Sequence, residues 1–193
     1  MKKGRIQQGC GKPNSAVPHK NNFMIIIHLK GVNTISQSIY DQMINLLDLL
    51  LLTCPCCKHI GTVSHAYYDR DVKEHEEFRL VVLRVKCKFC GKTHAILPDT
   101  LVPYSSITLR DTVTIVLSDC IESIKELLMD NINLDLEDVR RVRRNFRLYW
   151  KERLLSFDVT IDNSISRKCI ELFHRQFMQI HCTICGSYDQ IHI

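Results

Sequence analysis

The chain has 193 residues, a formal net charge of +5 and ten cysteines. That length holds one medium domain or two small ones, and so mild a charge makes its placement more informative than its total. Phe23–Leu29 and Leu46–Leu52 are too short to span a bilayer, and cysteines grouped as Cys-x-x-Cys argue against a secreted disulfide scaffold. A cytoplasmic protein without membrane contact is therefore expected.

Residues 1–22 carry Lys2, Lys3, Arg5, Lys12 and Lys20 among Gly, Pro, Asn and Gln with no apolar period, and read as a disordered basic arm. Ordered-looking sequence begins near Met24, which is an alternative natural start. Phe23–Leu29 is a β-branched run and predicts a buried strand. Thr34–Leu52 follows with Ile35, Ile39, Met43, Leu46, Leu47 and Leu50 at helical spacing, capped by Thr34 or Ser36. Strand and helix are expected to pack against the cysteine-bearing stretch after them, which is too small to form a core alone.

That stretch reads Cys54-Pro-Cys-Cys57, a β-type run, then Cys87-Lys-Phe-Cys90-Gly91. Each Cys-x-x-Cys pair turns two sulfurs toward one point, and a hairpin that brings two such turns together gives the tetrahedral thiolate set that zinc prefers. Cys54, Cys57, Cys87 and Cys90 are the predicted ligands of one structural Zn²⁺, with Cys56 a spare. Four thiolates leave no open position for water or substrate, so the site braces the fold rather than catalysing. Thr62–Tyr68 and Phe78–Lys86 are the expected hairpin arms and Asp69–Glu77 the charged turn between them. His59, His65, His75 and His94 are expected at the surface or beside the ligands, not among them.

Pro98 and Pro103 close the strand pattern, and helical spacing runs from Thr108 onward. Thr108–Asp119 and Ile121–Met129 are followed by a turn, with Asp135 as cap for a helix from Leu136 to about Leu154. At 3.6 residues per turn, Val139, Val142, Phe146, Tyr149 and Trp150 share one face of that helix. Arg140, Arg144, Arg147 and Lys151 share another, flanked by Arg141, Arg143 and Asn145. A short helix, a turn and a longer helix with a cationic stripe is the helix-turn-helix arrangement, in which the last helix reads bases in the major groove. Ser164–Ile180 predicts one more amphipathic helix, and Cys182 and Cys185 at the end make half of a second metal site.

The expected fold class is α+β: a small four-cysteine zinc ribbon built on a β-hairpin with an amino-terminal strand and helix, followed by an all-α helix-turn-helix region. The expected divisions are the arm (1–22), strand, helix and ribbon (23–103), helix-turn-helix (104–157), and a carboxyl-terminal helix and tail (158–193). No converging carboxylates, Ser-His-Asp set or phosphate-cradling glycine loop stands out, so no enzyme is expected.

Met24-Ile-Ile-Ile27, Cys54-Pro-x-Cys57, His65-x-x-Tyr68-x-Arg70, Arg84-Val-x-Cys87-x-x-Cys90-Gly-Lys-Thr-His-Ala-x-Leu-Pro98, Val102-Pro-Tyr104, Phe146-x-x-x-Trp150 and Phe177-Met-Gln-Ile-His181 fall in a recognisable order. The chain thereby resembles a bacterial family of short zinc-ribbon proteins associated with insertion sequences. It is also similar to the amino-terminal zinc-ribbon and helix-turn-helix part of some transposases. The resemblance implies a DNA-binding module linked to mobile elements, with double-stranded DNA as partner and a second copy or a transposase beside it. Alternatives are a zinc-ribbon adaptor that docks proteins and a fragment of a DNA transposase.

Overall fold

A computed structural model of the chain describes residues 22–32, 34–74, 77–180 and 183–191. The first apolar run forms strand β1 (Asn22–Leu29), buried throughout from Met24 to Leu29. An unbroken buried run of this kind is the signature of a strand held between parallel neighbours. Here those neighbours are β4 (Thr93–Pro98) and β5 (Thr183–Ile191), with Met24 in register with Ala95 on one side and Cys185 on the other. Between β1 and β4 come helix α1 (Gln37–Leu46), a 3₁₀ turn (Leu49–Leu51) and a long hairpin of β2 (Thr62–Lys73) and β3 (Glu77–Cys87). β3 pairs antiparallel with β4, so all five strands join one mixed sheet in the order β2-β3-β4-β1-β5.

One expectation is refined here and another changes. The hairpin does more than pack against the amino-terminal strand and helix, because its second strand is hydrogen-bonded into the main sheet. The region after Pro103 is not all helical, because the chain returns as β5, a strand that no local apolar alternation announces. Cys185 therefore stands in extended backbone rather than in a knuckle turn, while Cys182, like residues 1–21 of the basic arm, lies outside the described residues.

The hairpin is also longer than its charges suggest. β2 runs on through Lys73, with Val72 fully buried and Asp71 facing Arg79 across the pair at 3.2 Å. Most of the predicted charged turn Asp69–Glu77 is therefore strand, 69–73 in β2 and Glu77 in β3, because a strand with one wet face carries charge without breaking.

Ser36 caps α1, its hydroxyl accepting from the Ile39 amide at 3.3 Å. The helix stops at Leu46 instead of Leu52, and the Asp48 carboxylate accepts from the Leu50 amide (2.9 Å) to start the 3₁₀ turn. From α1, Tyr40 reaches between β3 and β4: its hydroxyl accepts from Leu83 N (2.9 Å) and donates to Ile96 O (3.0 Å). It fills a gap in the ladder, since β3 and β4 pair only over Arg84–Lys86 and Thr93–Ala95. α1 and the sheet enclose one apolar core.

A second core lies among the helices α2 (Leu109–Leu117), α3 (Ile121–Asp130), α4 (Leu136–Asn145), α5 (Lys151–Ser156) and α6 (Ile165–Phe173). A π-helical turn, Phe146–Trp150, joins α4 to α5 without a break. Trp150 is fully buried at the centre, edge-on to Phe173 and Phe177, and its indole donates to Gln179 O at 3.2 Å. α6 ends at His174, whose left-handed backbone (φ 52°) stops the helix short of the predicted Ile180. The residues just beyond still bury Phe177 and Met178. Among the described residues no helix is long and apolar enough to cross a membrane.

Candidate metal centre and cationic helix

The two cysteine pairs fold as near copies of one turn. In the first, Cys54 N donates to His59 O (2.8 Å) and Lys58 N to Cys54 O (2.9 Å). In the second, Cys87 N donates to Lys92 O (2.9 Å) and Gly91 N to Cys87 O (3.1 Å). The residue four after the leading cysteine must take a left-handed backbone in both. Gly91 does so at φ 69° as its lack of Cβ allows, while Lys58 does so at φ 64° against a steric cost. Lys58 thus keeps the same turn as Gly91, at that steric cost. Lys88 N donates to Gly61 O (3.1 Å), and the His59 and Phe89 rings stack at 3.6 Å, so each knuckle holds the other.

The four sulfurs of Cys54, Cys57, Cys87 and Cys90 all lie within 4.8 Å of one another. Cys54 and Cys90 are 3.7 Å apart, as are Cys57 and Cys87. Zn–S bonds of about 2.3 Å place the corners of a tetrahedron about 3.8 Å apart. A disulfide would bring two sulfurs to about 2.05 Å. The set therefore can hold a metal ion and is compatible with one structural zinc. Cys56 is no part of the cluster.

Thiols this close cannot all ionise without a cation. Burial and the sulfurs of Cys57, Cys54 and Cys87 push Cys90 up to about 12. Burial opposes ionisation of Cys87 as well, but the amides of Cys90 and Phe89 and its sulfur neighbours bring it down to about 7. A divalent ion resolves this conflict by stabilising every thiolate at once.

His94, expected at the surface or beside the ligands, is beside them. It is fully buried on β4, with Nε2 3.1 Å from Cys54 Sγ. An imidazole N–H donating to a ligand sulfur fixes that sulfur's direction and tempers its charge. His65 is exposed and His75 lies outside the described residues.

The predicted DNA-reading residues separate into two groups. The helix that carries them is continuous from Leu136 to Ser156 and starts with a capping box between Asp135 and Asp138. Arg140, Arg144, Arg147 and Lys151 are exposed, and Arg140 has a carboxylate near it, Glu137 at 3.7 Å. Arg143 is not available: its guanidinium donates to Ser118 O (2.6 Å) and Ile115 O (3.4 Å), satisfying carbonyls at the end of α2. Arg141 is ion-paired with the buried Asp138, which also binds Lys73 at 2.8 Å. Asn145 is half-buried against the Tyr104–Ile107 loop. The π turn adds a residue to its turn and rotates the helix beyond it, so Tyr149, predicted to face inward, is half-exposed while Trp150 is buried.

No curated protein and no solved structure matches this chain. Residues 54–137, from the first ligand cysteine to the first turn of α4, match the family model described as Domain of unknown function (DUF6431).

Proposed function

We propose that this chain is a zinc-stabilised, sequence-specific DNA-binding protein linked to mobile elements, a transposase-like targeting or regulatory module without a catalytic domain of its own. The observation that carries the reading is the outward row of Arg140, Arg144 and Arg147 on a helix pinned to the body from its inner side. Two attachments fix it: Lys73 of the hairpin to Asp138, and Arg143 to the end of α2. A cationic helix held rigid loses little freedom on docking, which favours its use as a recognition helix after the α3–α4 turn. The zinc in the four-cysteine site braces the hairpin from which Lys73 projects. The link to mobile elements rests on the sequence resemblance, and the protein partner on this reading is a second copy or a transposase.

Selection from a random duplex pool, followed by binding titrations across salt, tests the proposal. Three or four phosphate contacts give a log–log salt slope of about −3 to −4. Replacing Arg140, Arg144 and Arg147 together by Glu abolishes binding while the zinc content and melting temperature stay unchanged. If that variant binds DNA as the parent does, the reading is wrong.

One observation favours the adaptor reading instead. Leu50, Leu51, Ile60 and Phe89 are all more than half exposed around the knuckles, an apolar rim suited to a protein partner. A chain that enriches no duplex sequence would move the choice to that side.

A further inference from the structure

Strands β1 to β4 and the Tyr104–Ser106 loop line a cleft of about 390 Å³. Tyr68 and Tyr104 supply two aromatic walls and Arg70 and Arg84 two guanidinium groups. The carboxylate that reaches the cleft, Asp71, is already paired with Arg79 at 3.2 Å. The lining therefore carries a net positive charge over a partly desolvated floor.

The two arginines do different work. Arg70 Nη2 donates to Val102 O (2.5 Å) and Ser105 O (2.7 Å), and its Nε is buried without a partner. It fastens the loop on both sides of Tyr104, which has a left-handed backbone, φ 62°. Strain of that kind on a bulky residue survives where the surroundings overdetermine it, as at ligand clamps. Arg84 is exposed, lies over the Tyr68 ring at 5.9 Å and donates one bond to Thr93 Oγ1 (3.3 Å). The rest of its fork is left to meet an anion, and the Tyr68 ring limits how far it can swing.

We propose that this cleft binds a nucleoside phosphate, with Arg84 on the phosphate and the base between Tyr68 and Tyr104. The open guanidinium fork of Arg84 selects an anion, and aromatic walls select one with a flat ring. The volume is near the lower end of small-molecule sites, which fits one nucleotide and not a dinucleotide cofactor. The nucleotide can be free or can be the phosphorylated end of a DNA strand. The proposal stands apart from duplex recognition by the cationic helix and uses none of its residues.

Calorimetric titration of the zinc-loaded full chain tests it with dAMP, inorganic phosphate, and a single-stranded oligonucleotide with and without a 5′-phosphate. Saturable binding of dAMP is expected, tighter than that of phosphate alone. Arg84→Gln weakens it by at least about tenfold, the loss of a charge-assisted bond. Tyr104→Gly, which removes the ring while keeping the left-handed backbone favourable, weakens it as well, and Arg144→Glu leaves it unchanged. An Arg84-dependent preference for the 5′-phosphorylated strand over dAMP identifies the strand end as the source, and equal or weaker binding of the strand identifies the free nucleotide. Phosphate binding as tightly as dAMP, dAMP binding indifferent to Arg84→Gln in a folded protein, or no saturable binding of any of these probes overturns the proposal.

Discussion

His94 Nε2 lies 3.1 Å from the sulfur of Cys54, and both residues are fully buried. The histidine sits on β4, the central strand of the sheet, in register with Phe23 of β1, so the candidate metal centre is tied to the sheet and not only to its own knuckles. A ligand held in this way loses about 10–100-fold in metal affinity when its supporting hydrogen bond is removed. His94→Phe is expected to show that loss in competition with a chromophoric chelator, and His94→Gln to recover part of it. Equal affinities in all three proteins would reduce the contact to mere packing.

The ligand set makes a second expectation. Cys57→Ser or Cys90→Ser removes one corner of the tetrahedron and lowers bound zinc from one per chain toward none. Cys56→Ser leaves stoichiometry unchanged, because its sulfur lies outside the cluster. Chelation of the parent unfolds the hairpin end, since metal binding energy here is folding energy. Elemental analysis with circular dichroism before and after chelator reads both results.

Lys58 and Gly91 occupy equivalent places in the two knuckles, and Lys58 bears the steric cost. Relief of a left-handed side chain is worth about 1–2 kcal/mol, against about 0.5–1 kcal/mol of added chain entropy for glycine. Lys58→Gly is thus expected to raise stability, by up to about 1.5 kcal/mol. The mirror change, Gly91→Lys, costs stability. Thermal melts of the zinc-loaded proteins decide the signs.

Arg143 and Arg144 are neighbours with opposite duties. Arg143→Ala leaves the carbonyls of Ile115 and Ser118 without their donor and costs about 1–2 kcal/mol of stability. Its effect on DNA binding comes from that instability alone and disappears at temperatures well below melting. Arg144→Glu leaves stability within about 0.5 kcal/mol and weakens DNA binding. A paired set of denaturation and anisotropy measurements separates them, and a reversed pattern would contradict the assignment of roles.

Asp138 couples the hairpin to the cationic helix through Lys73 and Arg141. Burial opposes its ionisation, but the Lys73 ammonium, the Asp135 amide and the Arg141 guanidinium outweigh that and hold its carboxyl below the usual range. A carboxyl depressed on folding adds stability that is complete above its unfolded value near 3.9 and is lost as pH falls through the folded one. Asp138→Asn is expected to cost about 1–3 kcal/mol at neutral pH, less than a fully buried pair because Lys73 and Arg141 reach water. The gap between parent and variant should narrow below about pH 4, where the parent loses the same interaction. A gap that stays constant down to pH 2 would assign the effect to packing.

The residues alone settled whatever repeats over short distances. Two Cys-x-x-Cys pairs named four sulfurs that do converge, because each pair needs only its own turn and the hairpin between them is local. Ser36, one of two candidates, and Asp135 marked helix starts, since a capping side chain bonds an amide three residues on. The run Met24–Leu29 declared its burial by having no polar face, apart from His28, which bonds Asp99 at 2.9 Å. Tertiary structure decided the rest. Partnering β1 with a strand from the far end of the chain leaves no trace in either segment's period, which is why β5 read as a tail. Arg143 and Arg144 are chemically the same residue on one helix, and only the end of α2 lying beside one of them makes it structural and leaves its neighbour in solvent. The π turn, the stop at His174 and the cleft lined by Tyr104 likewise have no signature in the local spacing.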